Sequence, residues 1–245
     1  MRKTRLFFGM AMMTATLLYA NAAQAQHCGG CKTRCGAQQH ATCDPRTSIC
    51  TIQTVTPGVA KDGTVTIGAI PATESEFDIL QSMLGTSPEG CIALQLVAMQ
   101  MYQNDPKLGA ICLKKNNTNS NYNSVESRLK ELFRKGDSYA RPHLVTTFFK
   151  GATIDNGFNP SFPYAISVRK TPNKSDEKSQ LLKGYVKYYD VYSEGYDTHW
   201  RNVAVVQQKG DTYYKVSNCP SLCTQCKEVD WEAQQDYQGL KTTME

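Results

Sequence analysis

Near residue 144 the hydrophobic pattern of this 245-residue chain changes period, and that change restricts the fold more than any other feature. Before it, apolar residues recur every three or four positions; after it they alternate. Thr73 and Glu76 have the spacing of a capping box, and Phe77, Leu80 and Leu84 follow on one helical face that Gly85 ends. Ser87-Pro88 opens a second helix, with Ser as N-cap and Pro at the first helical position. Its run "CIALQLVAMQMY" is apolar nearly all round, so this helix is predicted to be the buried centre, stopping near Asn104-Asp105-Pro106. A short third turn over Lys107 to Leu113, a polar loop "KKNNTNSNYNS" and a fourth helix are expected next. Val125, Leu129, Leu132 and Phe133 share one face of that fourth helix, which Lys135-Gly136-Asp137 should end.

Strands are predicted at about 144–149, 163–169, 184–193, 200–208 and 211–217, with Lys209-Gly210-Asp211 as a tight turn between the last two. One earlier strand fits the β-branched alternation of Gly63 to Ile70. Helices followed by strands predict an α+β class, with N-terminal helices packed on a C-terminal antiparallel sheet of about five strands and Cys-rich flanking segments. The charged run Lys170 to Gln180 reads as a solvated loop.

The first 25 residues carry Arg2, Lys3 and Arg5, an apolar run from Leu6 to about Leu18, and a small-residue site ending at Ala25. That order is the order of a secretory signal peptide, and the apolar run is shorter than the roughly 20 residues of a membrane span. The chain is expected to be secreted or periplasmic after cleavage near Ala25, with no membrane span. Four parts are expected: a leader at 1–25, a Cys-rich segment and linker at 26–70, a globular domain at 71–218 and a Cys-containing tail at 219–245. The formal charge is +5, of which Arg2, Lys3 and Arg5 supply three, leaving +2 for the remainder. So small a balance gives no reason to expect nucleic acid as a partner. The partner classes left open are an envelope protein, a peptide or a glycan.

All ten cysteines follow the leader: Cys28, Cys31, Cys35, Cys43 and Cys50; Cys91 and Cys112; Cys219, Cys223 and Cys226. Paired thiols oxidise in an exported chain, so all ten are disulfide candidates. Lys32 and Lys227 stand where covalent haem needs His, and no cofactor is expected. Cys28, Cys31 and Cys35 with His27 offer an alternative tetrahedral metal shell, although the paired spacing of zinc modules is missing. Gly29 and Gly30, with no helical pattern after them, do not offer the helix N-terminus that activates a redox thiol. Five and three are odd counts. If Cys91 pairs with Cys112, at least one bridge must join the terminal clusters across more than 150 residues, a closure on the order of 4–5 kcal/mol. The alternative is that Cys91 and Cys112 are unpaired core thiols.

The piece "FFKGATIDNGFNPSFPYAISV", with "SEGYDTHWRNVAVVQQKGDTYYKV" downstream, resembles a family of bacterial extracytoplasmic domains of unknown function. The resemblance covers about residues 75–218. It is carried by Phe149 to Thr153, by Pro163 and Tyr164 opening a strand, and by the Lys209 to Asp211 hairpin followed by Tyr213 and Tyr214. It implies secreted or lipid-anchored relatives with an α+β domain, and it supplies no activity and no catalytic residue. The Cys-rich flanks depart from the pattern, which favours a stabilising role for them.

No nucleophile elbow, zinc helix, P-loop or dinucleotide fingerprint is present, so the reading leans away from an enzyme. The catalytic candidates are His199 beside Asp197, and His143, each before a strand. The binding candidates are Tyr188 and Tyr192, on the face of their strand opposite Tyr185 and Tyr189, together with Lys150 and Gly151 in the turn-forming "KGAT". Gly151 and Gly157 are expected to take positive φ. The leading expectation is a non-catalytic binding or envelope-associated module stabilised by disulfides. The alternatives are a metal- or thiol-handling protein using the cysteine clusters and a small hydrolase around His199 or His143.

Overall fold

The computed structural model describes residues 26–27, 34–35, 38–43, 50–134 and 139–229. The chain begins with two short antiparallel pairs, β1 (Gln26–His27) with β2 (Arg34–Cys35) and β3 (Gln39–Cys43) with β4 (Cys50–Thr54). The register of the second pair sets Cys43 opposite Cys50. Cys28 and Cys31, and the leader, lie outside the described residues. Next come β5 (Gly58–Val59) and β6 (Thr64–Ile67), within the stretch where alternation predicted a strand. Four helices follow: α1 (Glu74–Leu84), α2 (Pro88–Asn104), α3 (Pro106–Asn116) and α4 (Asn119–Leu132). The rest of the sheet is β7 (Tyr164–Lys170), β8 (Glu177–Ser179), β9 (Gly184–Tyr192), β10 (Trp200–Gln208) and β11 (Lys215–Asn218). The class is α+β. The curled antiparallel sheet has seven strands in the order β11-β10-β9-β7-β6-β5, with β8 also on β9.

The helix boundaries follow their caps. Thr73 Oγ1 accepts from the Glu76 amide at 3.2 Å, while the Glu76 carboxylate reaches past Thr73 to the Ala72 amide at 2.7 Å. Ser87 accepts from Gly90 at 3.0 Å and starts α2. As its all-round apolarity predicted, α2 is buried from Gly90 to Tyr102 and touches β5, β6, β7, β9, β10 and β11 of the sheet. Val125, Leu129 and Leu132 fix α4 to the same core, with Phe133 half-buried beside them. The expected end of α4 at 135–137 lies outside the described residues.

Four expectations are corrected. The third helix is not a short turn: Asp105 Oδ1 accepts from both Lys107 and Leu108, at 2.9 and 3.2 Å, and launches three turns. The polar run after it is the end of α3 and the start of α4, tied to the sheet where the Thr118 amide donates to Val216 O at 2.9 Å. The stretch 144–149 is a turn and a 3₁₀ helix (Thr146–Phe148), not a strand. Thr146 and Thr147 hydroxyls donate to the carbonyls of His143 and Leu144 at 2.9 and 2.7 Å, which closes a helical turn against the β-branched preference. The count of about five strands missed the two-residue β5 and β8, the latter inside the charged run expected to be a loop.

After β11 the chain stays in the core, with Cys219, Leu222, Cys223 and Cys226 buried in the main cluster. Tyr196 Oη donates to Thr224 O at 3.0 Å, Arg141 Nε to Cys226 O at 3.3 Å, and the Lys227 amide to Gly195 O at 2.8 Å. Arg141, itself buried, forms an ion pair with Glu228.

Candidate functional site

The sheet opens at one place. β7 and β9 pair only through Val168 with Val191, Arg169 with Asp190 and Lys170 with Tyr189. Beyond them the strands splay, and the segment Thr146 to Gly151 fills the gap. Phe149 bridges Ile166, the Lys150 amide donates to Ala165 O at 2.8 Å, and on the other side the Glu194 amide donates to Thr147 O at 3.0 Å. Gly151 turns the segment at φ +82, where a Cβ would lie 2.2 Å from Ser161 Oγ. Gly157 takes φ +65, as expected of a turn glycine. What remains open is a cleft of about 260 Å³, floored by Phe148 and Phe149 and walled by Lys150, Ser167, Tyr192, Glu194 and Trp200.

The β9–β10 register sets Trp200 opposite Tyr192, and their rings meet edge to face with centroids 5.2 Å apart. The Arg169 guanidinium caps Trp200 at 3.7 Å and reaches Asp190 at 3.5 Å. Tyr192 stacks on His199 at 5.1 Å and donates its hydroxyl to Glu194 at 2.7 Å. That bond holds the Tyr192 phenol above its usual pKa, because ionisation would set two anions against each other. The Nδ1 of His199 lies 3.1 Å from Ser193 O and 3.7 Å from Glu194 Oε2, so in the neutral ring it is the protonated nitrogen. Lys150 Nζ is steadied by Thr64 Oγ1 at 3.1 Å.

The structure thus gathers Tyr192, Lys150, Gly151 and His199, which the sequence singled out separately, and leaves the other candidates elsewhere. Asp197 is exposed and pairs with Lys227 at 3.1 Å; the carboxylate beside His199 is Glu194. Tyr188 is on the same face as Tyr192 but four residues along β9, about 13 Å, and donates to Glu177 at 2.7 Å under Lys174. Sequence reasoning missed Glu194, Ser167 and Trp200. The signal for Trp200 was present, since any hairpin register pairing Gly184 with Gln208 also sets Tyr192 against Trp200.

His143 is in the core, 0 % exposed, stacked on Phe158 at 5.1 Å with Nε2 2.8 Å from Lys227 O. Burial pushes its pKa down, the Lys227 carbonyl partly opposes that, and Arg141 adds to it. A histidine whose folded pKa is depressed stabilises the fold above its unfolded value of about 6.5, and that contribution is lost as pH falls toward the folded value. Stability should therefore drop by up to about 1.4 kcal/mol per pH unit below about pH 6.5. Urea titrations across pH 7 to 5 should show a steeper slope in the parent than in His143→Gln; equal slopes would remove His143 as the source.

The five cysteines of the helices and of the segment after β11 do not form the bridges expected of them. Cys91, Cys112, Cys219, Cys223 and Cys226 are free, buried thiols. Cys91 Sγ donates to Asn116 Oδ1 at 3.7 Å, and Asn121 donates to Cys219 Sγ at 3.4 Å, so the pairing of Cys91 with Cys112 that underlay the odd-count argument is not made. Burial raises all five pKa values, those of Cys112, Cys219 and Cys226 to about 12, which leaves little thiolate for redox chemistry or metal ligation. Among the described residues no three His, Cys, Asp or Glu side chains are gathered so as to hold a metal ion. No described helix is long and apolar enough to cross a membrane.

No curated protein and no solved structure matches the chain. One family does, over residues 69–230, a span that takes in the splayed-strand cleft and the segment after β11. The chain belongs to the family described as a domain of unknown function, DUF6935.

Proposed function

We propose that this chain is an exported, non-catalytic bacterial binding module whose ligand docks in the cleft between β7 and β9. One observation carries the reading: an aromatic pair, Tyr192 and Trp200, opens on a cleft that also holds an acceptor carboxylate, an ammonium and a hydroxyl. Such mixed donors and acceptors beside aromatic rings suit the hydroxyls and apolar faces of a sugar. At about 260 Å³ the cleft is below the roughly 300–1,000 Å³ of sites that enclose whole small molecules. It takes one ring of a larger glycan. Export follows from the leader at 1–25, and the oxidising compartment then favours bridges among Cys28, Cys31, Cys35, Cys43 and Cys50, with Cys43 and Cys50 already opposite in register. In this layout residues 26–70 are a stapled leader-proximal segment ahead of the globular domain.

The test uses chain recovered from an oxidising compartment and carrying Trp231→Phe, so that Trp200 is the only tryptophan. Titrating a panel of neutral oligosaccharides should shift its emission saturably, and Tyr192→Ala in the same background should weaken binding at least tenfold. Intact mass of the same sample counts the bridges. No response to any glycan would sink the reading. One geometry favours a hydrolase instead: His199 is oriented by Ser193 O and Glu194 as a general base would be. Among the described residues, however, no serine, threonine or cysteine side chain is hydrogen-bonded to its ring. Turnover of the bound glycan that is lost in His199→Gln would favour that reading.

A further inference from the structure

On the opposite face of the sheet, where β8, β9 and β10 run on past the helices, a second cavity of about 490 Å³ is bordered by Lys178, Lys183, Lys187, Lys209, Tyr185 and Tyr214. The topology gathers these from distant stretches. Lys178 is opposite Tyr185 in the β8–β9 register, and Lys187 is two residues along the same face. Lys183 takes φ +51 in the turn before β9, and its carbonyl accepts the Lys209 amide at 3.3 Å, which clips the two lysine-bearing turns together. Lys187 Nζ donates to Tyr214 Oη at 3.0 Å, aiming a fixed ammonium along the cavity wall.

Four like charges in one concavity repel each other unless something neutralises them. Among the described residues none of the four forms an ion pair, although Lys115, Lys130, Lys170, Lys174, Lys215 and Lys227 each do. Glu89 and Asp176 act on Lys187 only through space, and Asp176 is engaged by Lys170 at 3.1 Å. No carboxylate among the described residues supplies the missing negative charge, and a bound anion would. Lysines present point charges, which suit tetrahedral oxyanions, where arginines would present a planar fork. The volume lies within the range of sites that enclose a small ligand, and Tyr185, 57 % exposed, gives it an aromatic wall.

We infer that this cavity binds a small ligand carrying two or more phosphate groups. The site is independent of the cleft between β7 and β9. The small net charge of the chain hides it, because the four lysines are offset by acids elsewhere on the surface.

The experiment is calorimetric titration of the full chain at low salt with two probes, inorganic tripolyphosphate and glucose 1,6-bisphosphate. The expected result is saturable binding of at least one probe that weakens with added salt and falls at least tenfold in Lys178→Glu/Lys209→Glu, both exposed positions. A bisphosphate advantage that disappears in Tyr185→Ala assigns the site to phosphorylated rings; equal binding of both probes assigns it to phosphate charge alone. Thermal midpoints of the variants check the fold. Binding of neither probe overturns the inference, as does an equal loss in the control Lys107→Glu/Lys114→Glu on α3, which would mark diffuse attraction.

Discussion

Gly109→Ala should lower the stability of the domain by at least about 3 kcal/mol, a result opposite in sign to the helix-propensity expectation. Alanine in place of glycine inside a helix ordinarily stabilises by about 1 kcal/mol. Gly109 is in the first half of α3, where that helix crosses α2, and a Cβ there would lie 2.1 Å from both the Cα and N of Tyr102. Carbon atoms rest at about 3.5–4.0 Å, so the helices must separate by more than about 1 Å. The colliding atoms are backbone, and no rotamer change relieves them. Moving α2 disturbs more than α3, because α2 also carries the contacts to six strands of the sheet. Overpacking generally costs about 1–3 kcal/mol and this case is at or past the upper end. For a domain of this size the thermal midpoint should fall by roughly 6–12 °C. An unchanged or raised midpoint would mean that α2 and α3 do not approach as closely as the structure places them.

The parts of the fold legible in the sequence were those where one local rule acted alone. Thr73 and Ser87 cap α1 and α2, and a helix apolar on every side is the buried one. The alternation of β9 and β10 gave their extents to within a residue. Legibility failed where two rules competed. Thr146 and Thr147 have the branching of strand residues, but their hydroxyls satisfy backbone carbonyls three positions back. β8 is a short strand of Glu177, Lys178 and Ser179 that pairs only on one side, so no apolar alternation marks it. The candidate cleft was half legible. Tyr192, Lys150 and His199 were singled out by residue type, but their partners Glu194 and Trp200 are set by the strand register and the splay of β7 from β9. The lysine cavity was not legible at all, since its lysines span residues 178 to 209 and the balance of +2 averages them away.

The polar run "KKNNTNSNYNS" misled most, and it supplies the second large effect: Asn117→Ala should cost about 3 kcal/mol, against less than about 0.5 kcal/mol for Asn119→Ala two residues on. Asn119 is exposed in the first turn of α4, but Asn117, at the α3–α4 junction, is 2 % exposed. Its Nδ2 donates to Gln95 Oε1 and Leu113 O, both at 2.7 Å, and its Oδ1 accepts from Asn121 Nδ2 at 2.5 Å. Asn116 adds a donation to Gln95 at 3.3 Å and Asn121 continues to Cys219 Sγ. The amides therefore form a buried ladder from α2 through the α3–α4 junction to the segment after β11. Removing the middle rung leaves Leu113 O, Gln95 and Asn121 short of a partner, each worth about 1–3 kcal/mol when stranded, while Asn116 and Cys219 still cover part of the loss. The Gln95 Nε2 already lacks a partner, so losing Asn117 leaves that buried amide with the Asn116 donation alone. Urea midpoints of the two single variants decide the matter: equal, small losses would mean that water replaces the rung, and that the polar run is the solvated loop its composition suggested.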